Sequence, residues 1–268
     1  GSCFAVFAVG HLVFILFRRS YKIKDELVEK DNMAFALVLC GYYLGLTFSI
    51  GGVIAGPSAG LENDLIDMLI YGSLAIVLLN LSALINNRFI LSEFDIRKEI
   101  LEDQNSGTGV VEFAVFLSTG LNIYGAVFGE GGSIFTAIAF WALGQTVLVL
   151  VGKYYNLITN YNIHEHIEKD NVAVGIGFAG ALIGTGNLLR AASAENFISW
   201  EENLMTFTLY MLVGLILLPA ARILTDRILL PGRSLADELV NQVKPNQGAA
   251  FLEASSYIGA SFLITWCI

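Results

Sequence analysis

Long apolar runs alternate with short charged segments along the whole chain. Several runs reach the roughly 20 residues that an α-helix needs to cross the hydrocarbon core of a bilayer. The pattern predicts an all-α polytopic membrane protein. Its eight predicted transmembrane helices are residues 3–17, 33–55, 64–86, 107–128, 133–152, 172–192, 203–224 and 247–268.

A charged motif that ends in asparagine and leads into an apolar run occurs four times. The copies are residues 25–32, 98–105, 165–171 and 237–246, and they align on Asn32, Asn105, Asn171 and Asn246. Alternate copies match best and lie 139 and 141 residues apart. Such a period indicates one structural unit used repeatedly. We therefore predict four parallel helix-pair repeats, in two membrane domains at residues 1–130 and 131–268.

Each predicted unit is an inward helix, a short amphipathic segment and an outward helix. In the first segment, Leu27 and Val28 form a small apolar face among charges, as in helices that lie at a membrane interface. The four asparagines then fall where helix N-caps are expected, and capping is favoured over a ligand role. Parallel repeats are related by an axis along the membrane normal, either as a fourfold ring or as two lobes.

Basic residues fix the predicted orientation. Fourteen of the fifteen Lys and Arg residues lie on the long connections, whereas the short connections carry acids and no base. Because cytoplasmic loops are enriched in Lys and Arg, the motif segments are predicted to be cytoplasmic and both termini periplasmic. The first span is short and begins without Met, so either residues precede Gly1 or a signal peptide has been removed; both explanations stay open.

Composition excludes several classes of function. Hydrophobic residues make up 55% of the chain and charged residues 15%, against about 25% charged in soluble domains. A net charge of −9 argues against binding nucleic acid, which needs a basic surface. No phosphate loop, nucleophile elbow or zinc spacing occurs. We expect no enzyme activity, no cofactor and no metal.

Polar residues recur at one depth inside the predicted spans. Glu112 and Glu253 each lie seven residues after a motif asparagine, about 10 Å into the helix at 1.5 Å per residue. His11, Asn80 and Gln145 fall seven or eight residues before the basic end of their helices. These five residues form a candidate polar layer near the cytoplasmic face.

Two interpretations of this layer remain. Hydrogen bonds between helices are the first, and they are common among polar groups within membranes. A cation or proton site is the second, with Glu112 and Glu253 binding and His11 relaying protons. The first is favoured. Arg190, at the outer end of its span, is predicted to pair with acids of the outer loops or to extend to lipid phosphates.

The Glu-Lys-Asp-Asn motif before an Ala/Gly-rich span resembles the bacterial inner-membrane family called domain of unknown function 350. The most specific stretches are Ile167–Gly180 and Gly186–Arg190, and two tandem copies would cover the chain. The first copy has Gly51-Gly52 where the second has its outer Arg190. The resemblance implies a multispanning protein of the bacterial cytoplasmic membrane and supplies no activity.

Two functional hypotheses follow. The first is an integral inner-membrane scaffold or interaction subunit, which would hold a protein partner at its cytoplasmic face or form a homo-oligomer. The second is a small cation or proton channel or transporter that uses the polar layer. A layer sealed between helices would favour the scaffold, and a hydrated cavity would favour transport.

Overall fold

The computed structural model describes residues 1–19, 21–56, 58, 60–230 and 232–268. Across these residues the regular structure is helical, with no β-strand. The α-helices are, in chain order, α1 (Ser2–Phe17), α2 (Met33–Ile54), α3 (Leu61–Phe89), α4 (Ile96–Leu101), α5 (Ser106–Val127), α6 (Ile134–Ile158), α7 (Ile163–Glu168), α8 (Val172–Ser193), α9 (Trp200–Leu224), α10 (Leu235–Val240) and α11 (Gln247–Cys267). Two π-helical turns, Asp25–Glu29 and Thr225–Leu229, follow α1 and α9.

Six of the described helices are long and apolar enough to cross a membrane. They are α2, α3, α5, α6, α8, and α9 together with its π-helical end. Helix α1 is apolar but has only 16 residues, and the 21-residue α11 is not among the six. The chain is therefore all-helical with several membrane spans, and the count of eight spans stays a prediction.

Four of the long helices follow the repeated motif and begin at its asparagine. In each of these motif helices (α2, α5, α8 and α11) the side-chain oxygen of the asparagine accepts a hydrogen bond from the backbone N–H three residues later. The pairs are Asn32–Phe35, Asn105–Thr108, Asn171–Val174 and Asn246–Ala249, at 2.9–3.1 Å. This satisfies one of the N–H groups that a helix start leaves without a partner.

The same asparagines join neighbouring units. Their amide nitrogens donate to a backbone oxygen in the next motif segment: Asn32 to Ile100 at 2.8 Å, Asn105 to Ile167 at 2.7 Å and Asn171 to Leu239 at 2.9 Å. Each of the first three caps is thus also a bond between consecutive units.

The motif segments are short helical turns packed under the motif helices. Ile100, Ile167 and Leu239 are fully buried, as expected for their apolar faces. The first segment differs from the others: it is a π-helical turn in which Val28 is exposed and Glu26 is buried. The reason is electrostatic, since the Glu26 carboxylate accepts from Asn32 Nδ2 and Lys30 Nζ at 2.8 and 2.7 Å.

Glycine allows the motif helices to pack in close contact. A Cβ added at Gly41 of α2 would lie 2.5 Å from the Phe113 Cα of α5, and one at Gly52 would lie 2.6 Å from the Tyr124 oxygen. The later residue of α2 contacts the later residue of α5, so the two helices run in the same direction and are parallel. Small residues of this kind let helix backbones approach closely.

The motif helices form a row in the order α2, α5, α8, α11. The helices that precede them (the leading helices α1, α3, α6 and α9) pack along this row, α3 on α2 and α5, α6 on α5 and α8, and α9 on α8 and α11. Among the described residues, no comparable packing joins α2 to α11. The arrangement is therefore an open row, and neither the ring nor the paired lobes considered from the repeat is formed.

Candidate functional site

The first carboxylate cluster lies between α1, α2, α3 and α5. Arg18, at the end of α1, donates from Nη1 to Asn80 Oδ1 at 3.2 Å, and Asn80 Nδ2 donates to the Tyr42 hydroxyl at 3.3 Å. The Tyr42 hydroxyl in turn donates to the Gly10 oxygen at 2.7 Å. The Arg18 guanidinium also lies over the Phe14 ring, 4.7 Å from its centroid. We call Arg18, Tyr42, Asn80 and Glu112 the N-terminal cluster.

Glu112 is the acid of this cluster, and only 3% of its surface is exposed. With the Asn87 amide oriented so that its nitrogen donates, Nδ2 reaches Glu112 Oε1 at 3.1 Å and the Ala83 oxygen at 2.9 Å. Arg18 interacts with Glu112 electrostatically, but its nearest polar contact is Asn80. Glu112 is therefore held by an amide donor and a cation at longer range.

The second carboxylate cluster lies between α6, α9 and α11. Glu253 is fully buried and forms a direct ion pair with Arg222 Nη1, whose side chain is 13% exposed. The hydroxyls of Tyr155 and Tyr257 donate to the same Oε1 atom at 3.1 and 3.0 Å. We call Tyr155, Arg222, Glu253 and Tyr257 the C-terminal cluster. Three donors thus converge on one carboxylate oxygen.

The other oxygen of Glu253 lies over a glycine. A Cβ at Gly177 of α8 would come within 2.5 Å of Oε2 and 2.9 Å of the Tyr155 hydroxyl, so only glycine fits there without displacement. Among the described residues Oε2 has no hydrogen-bond donor. The cluster therefore leaves one buried acceptor free.

Each cluster has a tyrosine nearby in the segment that follows a leading helix, Tyr21 after α1 and Tyr161 after α6. Burial raises the pKa of Tyr21, near Glu112, and of Tyr161, near Glu253, to about 12, and the neighbouring carboxylate adds to both shifts. Both hydroxyls therefore stay neutral at physiological pH. The Arg222 guanidinium also lies 5.8 Å from the centroid of the Tyr161 ring.

Helix α8 separates the two clusters. Glu112 and Glu253 lie on α5 and α11, which flank α8 in the row. At the equivalent position of α8, seven residues after its cap, stands the fully buried Phe178, which stacks on Tyr155 with centroids 5.2 Å apart. The two carboxylates therefore belong to different sites.

Of the other members of the predicted layer, Asn80 belongs to the N-terminal cluster, whereas His11 and Gln145 lie elsewhere. His11 Nδ1 pairs with the Tyr43 hydroxyl at 2.7 Å, and neither carboxylate is among its described contacts. Gln145 Nε2 approaches Thr119 Oγ1 at 3.5 Å, between α6 and α5. Asn80 accepts a hydrogen bond from Arg18, which in turn interacts with Glu112 electrostatically. The structure does not unite the five residues in one site, and their common depth in the membrane stays a prediction.

Gln145 belongs to a third buried polar group, between α3, α5 and α6. Asn86 Nδ2 approaches Thr119 Oγ1 at 3.4 Å, and Asn122 Nδ2 donates to the Trp141 oxygen at 3.0 Å. Within the described residues, three side-chain amide oxygens of this group lack a donor: Asn86 Oδ1, Asn122 Oδ1 and Gln145 Oε1. We call Asn86, Thr119, Asn122 and Gln145 the amide group.

Arg190 bonds within its own helix. Its Nε donates to Asn187 Oδ1 at 3.1 Å, and its guanidinium lies 5.8 Å from the centroid of the Tyr124 ring of α5. The described part of the chain shows no ion pair between Arg190 and an acid of the outer loops. Its described partners are thus an amide and an aromatic ring, and its extension to lipid phosphates stays a prediction.

Sequence reasoning did not find the partners of the carboxylates. Arg18 and Arg222 were read as cytoplasmic charges, and Tyr155 and Tyr257 were not singled out. A signal was present for Arg222, which precedes Arg227 by five residues on one helix and so lies about 7.5 Å deeper. No comparable signal marks the tyrosines.

The apolar helices and their buried polar clusters define a multi-pass helical membrane protein. The chain belongs to the family described as Domain of Unknown Function (DUF350), whose profile matches residues 1–127 and 131–268. It is also 24% identical over 253 residues to a UPF0719 transmembrane protein of Aquifex aeolicus (strain VF5), covering 93% of this chain and 91% of the relative. No solved structure matches significantly. The predicted family and its two tandem copies are confirmed.

Proposed function

We propose that the protein is an integral scaffold or interaction subunit of the bacterial cytoplasmic membrane, without enzyme activity. In this proposal all eight long helices cross the bilayer as four parallel helix pairs. Both termini then lie outside and the motif segments lie at the cytoplasmic face, as the basic residues indicate.

The observation that carries the proposal is the separate, sealed burial of the two carboxylates. Glu253 is 0% exposed and meets Arg222 and two tyrosines, and Glu112 meets the Asn87 amide. Phe178 and the rest of α8 stand between them. Such closed contacts hold helices together and offer no continuous route for an ion.

The described cavities support the same view. One, of about 280 Å³, lies at the ends of α2 and α5 opposite the motif segments, and includes Asp67 and the turn at residues 129–133. Another, of about 300 Å³, is an apolar groove between α1 and α3. Neither is lined by Glu112 or Glu253.

A small cation or proton pathway is the second candidate. It is favoured by the unsatisfied oxygens of the amide group and of Glu253, because buried acceptors without donors suit a cation or a mobile proton. Such a path would have to connect sites that α8 separates.

Ion flux distinguishes the two candidates. The purified protein would be placed in liposomes, and proton, sodium and potassium flux measured under imposed gradients. A matched protein carries Glu112→Gln and Glu253→Gln. The scaffold proposal expects wild-type flux equal to that of protein-free liposomes, with gramicidin as the positive control.

Flux through the wild type that disappears in a folded double variant would overturn the scaffold proposal and establish a carboxylate-dependent pathway. Folding of the variant would be checked by its elution as a single species and by its helical circular dichroism.

A further inference from the structure

Neighbouring motif helices meet in one register. Gly41, nine residues after its cap, contacts the backbone of Phe113, which lies eight residues after the next cap. The same two positions bring Gly180 of α8 against the Cα of Ala254 of α11. The first and last junctions of the row therefore follow the same rule.

The middle junction repeats the first near the caps. Gly109, four residues after its cap, contacts the backbone of Ala34, two residues after the preceding cap. In the same way Gly175 of α8 contacts the backbone of Gly107 of α5. Each motif helix thus has one face for the preceding unit and another for the next.

In α11, the face that packs on the next unit elsewhere in the row is uncovered among the described residues. Two, nine and thirteen residues after Asn246 stand Gly248, Ser255 and Gly259, all exposed. A Cβ added at Gly259 would meet no described atom within 4 Å. In the other units the corresponding small residues are covered by the following helix, for example Gly184 by the Tyr257 backbone.

The first motif helix presents the matching face. Four, eight and fifteen residues after Asn32 stand Ala36, Cys40 and Thr47, which are small, and Cys40 and Thr47 are exposed. At the same positions in α8, Gly175 and Gly186 contact the preceding helix. The two ends of the row are therefore complementary to each other.

The leading helices complete the match. Helices α3, α6 and α9 each pack on their own motif helix and on the preceding one, whereas α1, among the described residues, packs comparably on one motif helix, α2. Its side chains Phe4 and Leu12 are 81% and 57% exposed. A motif helix placed beside α2 would also meet α1.

We propose that the Gly248–Ser255–Gly259 face of α11 binds the Ala36–Cys40–Thr47 face of α2 in a second copy of this chain. All motif helices are parallel, so both copies keep the same orientation in the membrane. Because the two faces differ, the contact is heterologous and produces either a closed ring or an open chain. This contact makes a second copy of the chain the partner of the scaffold proposed above, and its test does not depend on ion flux.

A disulfide trap tests the register directly. Gly180 and Ala254 face each other nine and eight residues after their caps. Ser255 of α11 and Cys40 of α2 stand at the same two positions, so the proposed contact places Ser255 against Cys40 of the neighbouring copy. The variant Ser255→Cys, in a background of Cys3→Ser and Cys267→Ser, retains Cys40 and is oxidised in native membranes with copper phenanthroline. The expected result is a ladder of dimers and larger multiples, because every copy carries both thiols and the proposed contact places them at facing positions.

The matched control adds Cys40→Ser to the same protein, and the ladder is expected to disappear. Monomers alone from the complete thiol pair would overturn the proposal. Dimers that persist without Cys40 would also overturn it, since they would join two α11 helices symmetrically.

Gly259→Leu supplies a second test. Within one copy the added side chain enters open space, so the variant should fold. Between copies the leucine blocks the proposed contact. The ladder should therefore be lost when Gly259→Leu is added to the thiol pair. Gly184→Leu is the internal counterpart and should impair folding, because its Cβ would lie 2.9 Å from the Tyr257 oxygen. An undiminished ladder with Gly259→Leu would contradict the proposed interface.

Discussion

The two carboxylate clusters show how one repeated position can be stabilised in different ways. Glu112 and Glu253 both stand seven residues after a capping asparagine and are both buried. Glu253 has a direct cation, Arg222, and two hydroxyl donors, whereas Glu112 has the Asn87 amide and a cation, Arg18, that donates elsewhere.

The difference originates in the leading helices. The motif helices pack by one register, and both carboxylates stand at equivalent positions of their helices. The cation of the C-terminal cluster comes from α9, and that of the N-terminal cluster from the end of α1, which are not equivalent helices of the two tandem copies. The repeat therefore conserves where the acids lie, while the charges that neutralise them differ.

The largest effect is expected from removing the direct cation. Arg222→Ala removes the cation that neutralises the buried Glu253 carboxylate and leaves it only the two tyrosine hydroxyls, which should lower the free energy of unfolding by about 3–5 kcal/mol. Arg18→Ala removes a charged hydrogen bond to Asn80 and should lower it by about 1.5–3 kcal/mol. Reversible unfolding in SDS–detergent mixtures measures both.

Equal losses for Arg222→Ala and Arg18→Ala would remove the distinction between the clusters. Arg227→Ala is the control, because Arg227 is exposed on the same helical stretch and its loss should change little.

A smaller effect is expected from the tyrosines. Tyr257→Phe deletes a donor to a carboxylate and should lower the free energy of unfolding by about 1.5–3 kcal/mol. Tyr42→Phe deletes bonds to a neutral carbonyl and a neutral amide and should lower it by about 0.5–1.5 kcal/mol. The same unfolding measurement applies, and a larger loss for Tyr42→Phe would contradict the assignment of donors.

A loss comparable with those of the tyrosine variants is expected from crowding the free oxygen of Glu253. Gly177→Ala places a methyl group 2.5 Å from Oε2 and should lower the free energy of unfolding by about 1–3 kcal/mol. Gly51→Ala, whose Cβ meets the Tyr124 ring at an ordinary 3.6 Å, is the control. A neutral Gly177→Ala would mean that the Glu253 side chain moves freely, against a sealed cluster.

Much of the backbone was predictable from sequence. The change from a charged motif to an apolar run predicted where the motif helices begin, and Asn32, Asn105, Asn171 and Asn246 stand at those points because an amide oxygen suits a helix start. The spacing from the motif asparagine also predicted that Glu112 and Glu253 stand at equivalent positions of their helices, since that depends only on rise per residue.

The partners of those acids were not predictable, because contacts between helices depend on how each helix is rotated. Arg222 faces inward and Arg227 outward although both are basic residues near one helix end. The π-helical turn at residues 25–29 likewise buries Glu26 and leaves Val28 exposed, which the order of charged and apolar residues does not indicate.

The central claim is that Glu112 and Glu253 occupy independent, sealed sites. Unfolding free energies of Glu112→Gln, Glu253→Gln and the double variant form a cycle that tests it. Independent sites predict that the two single losses add to within about 0.5 kcal/mol. A coupling energy above about 1 kcal/mol would show that the two carboxylates share one site and would contradict the account.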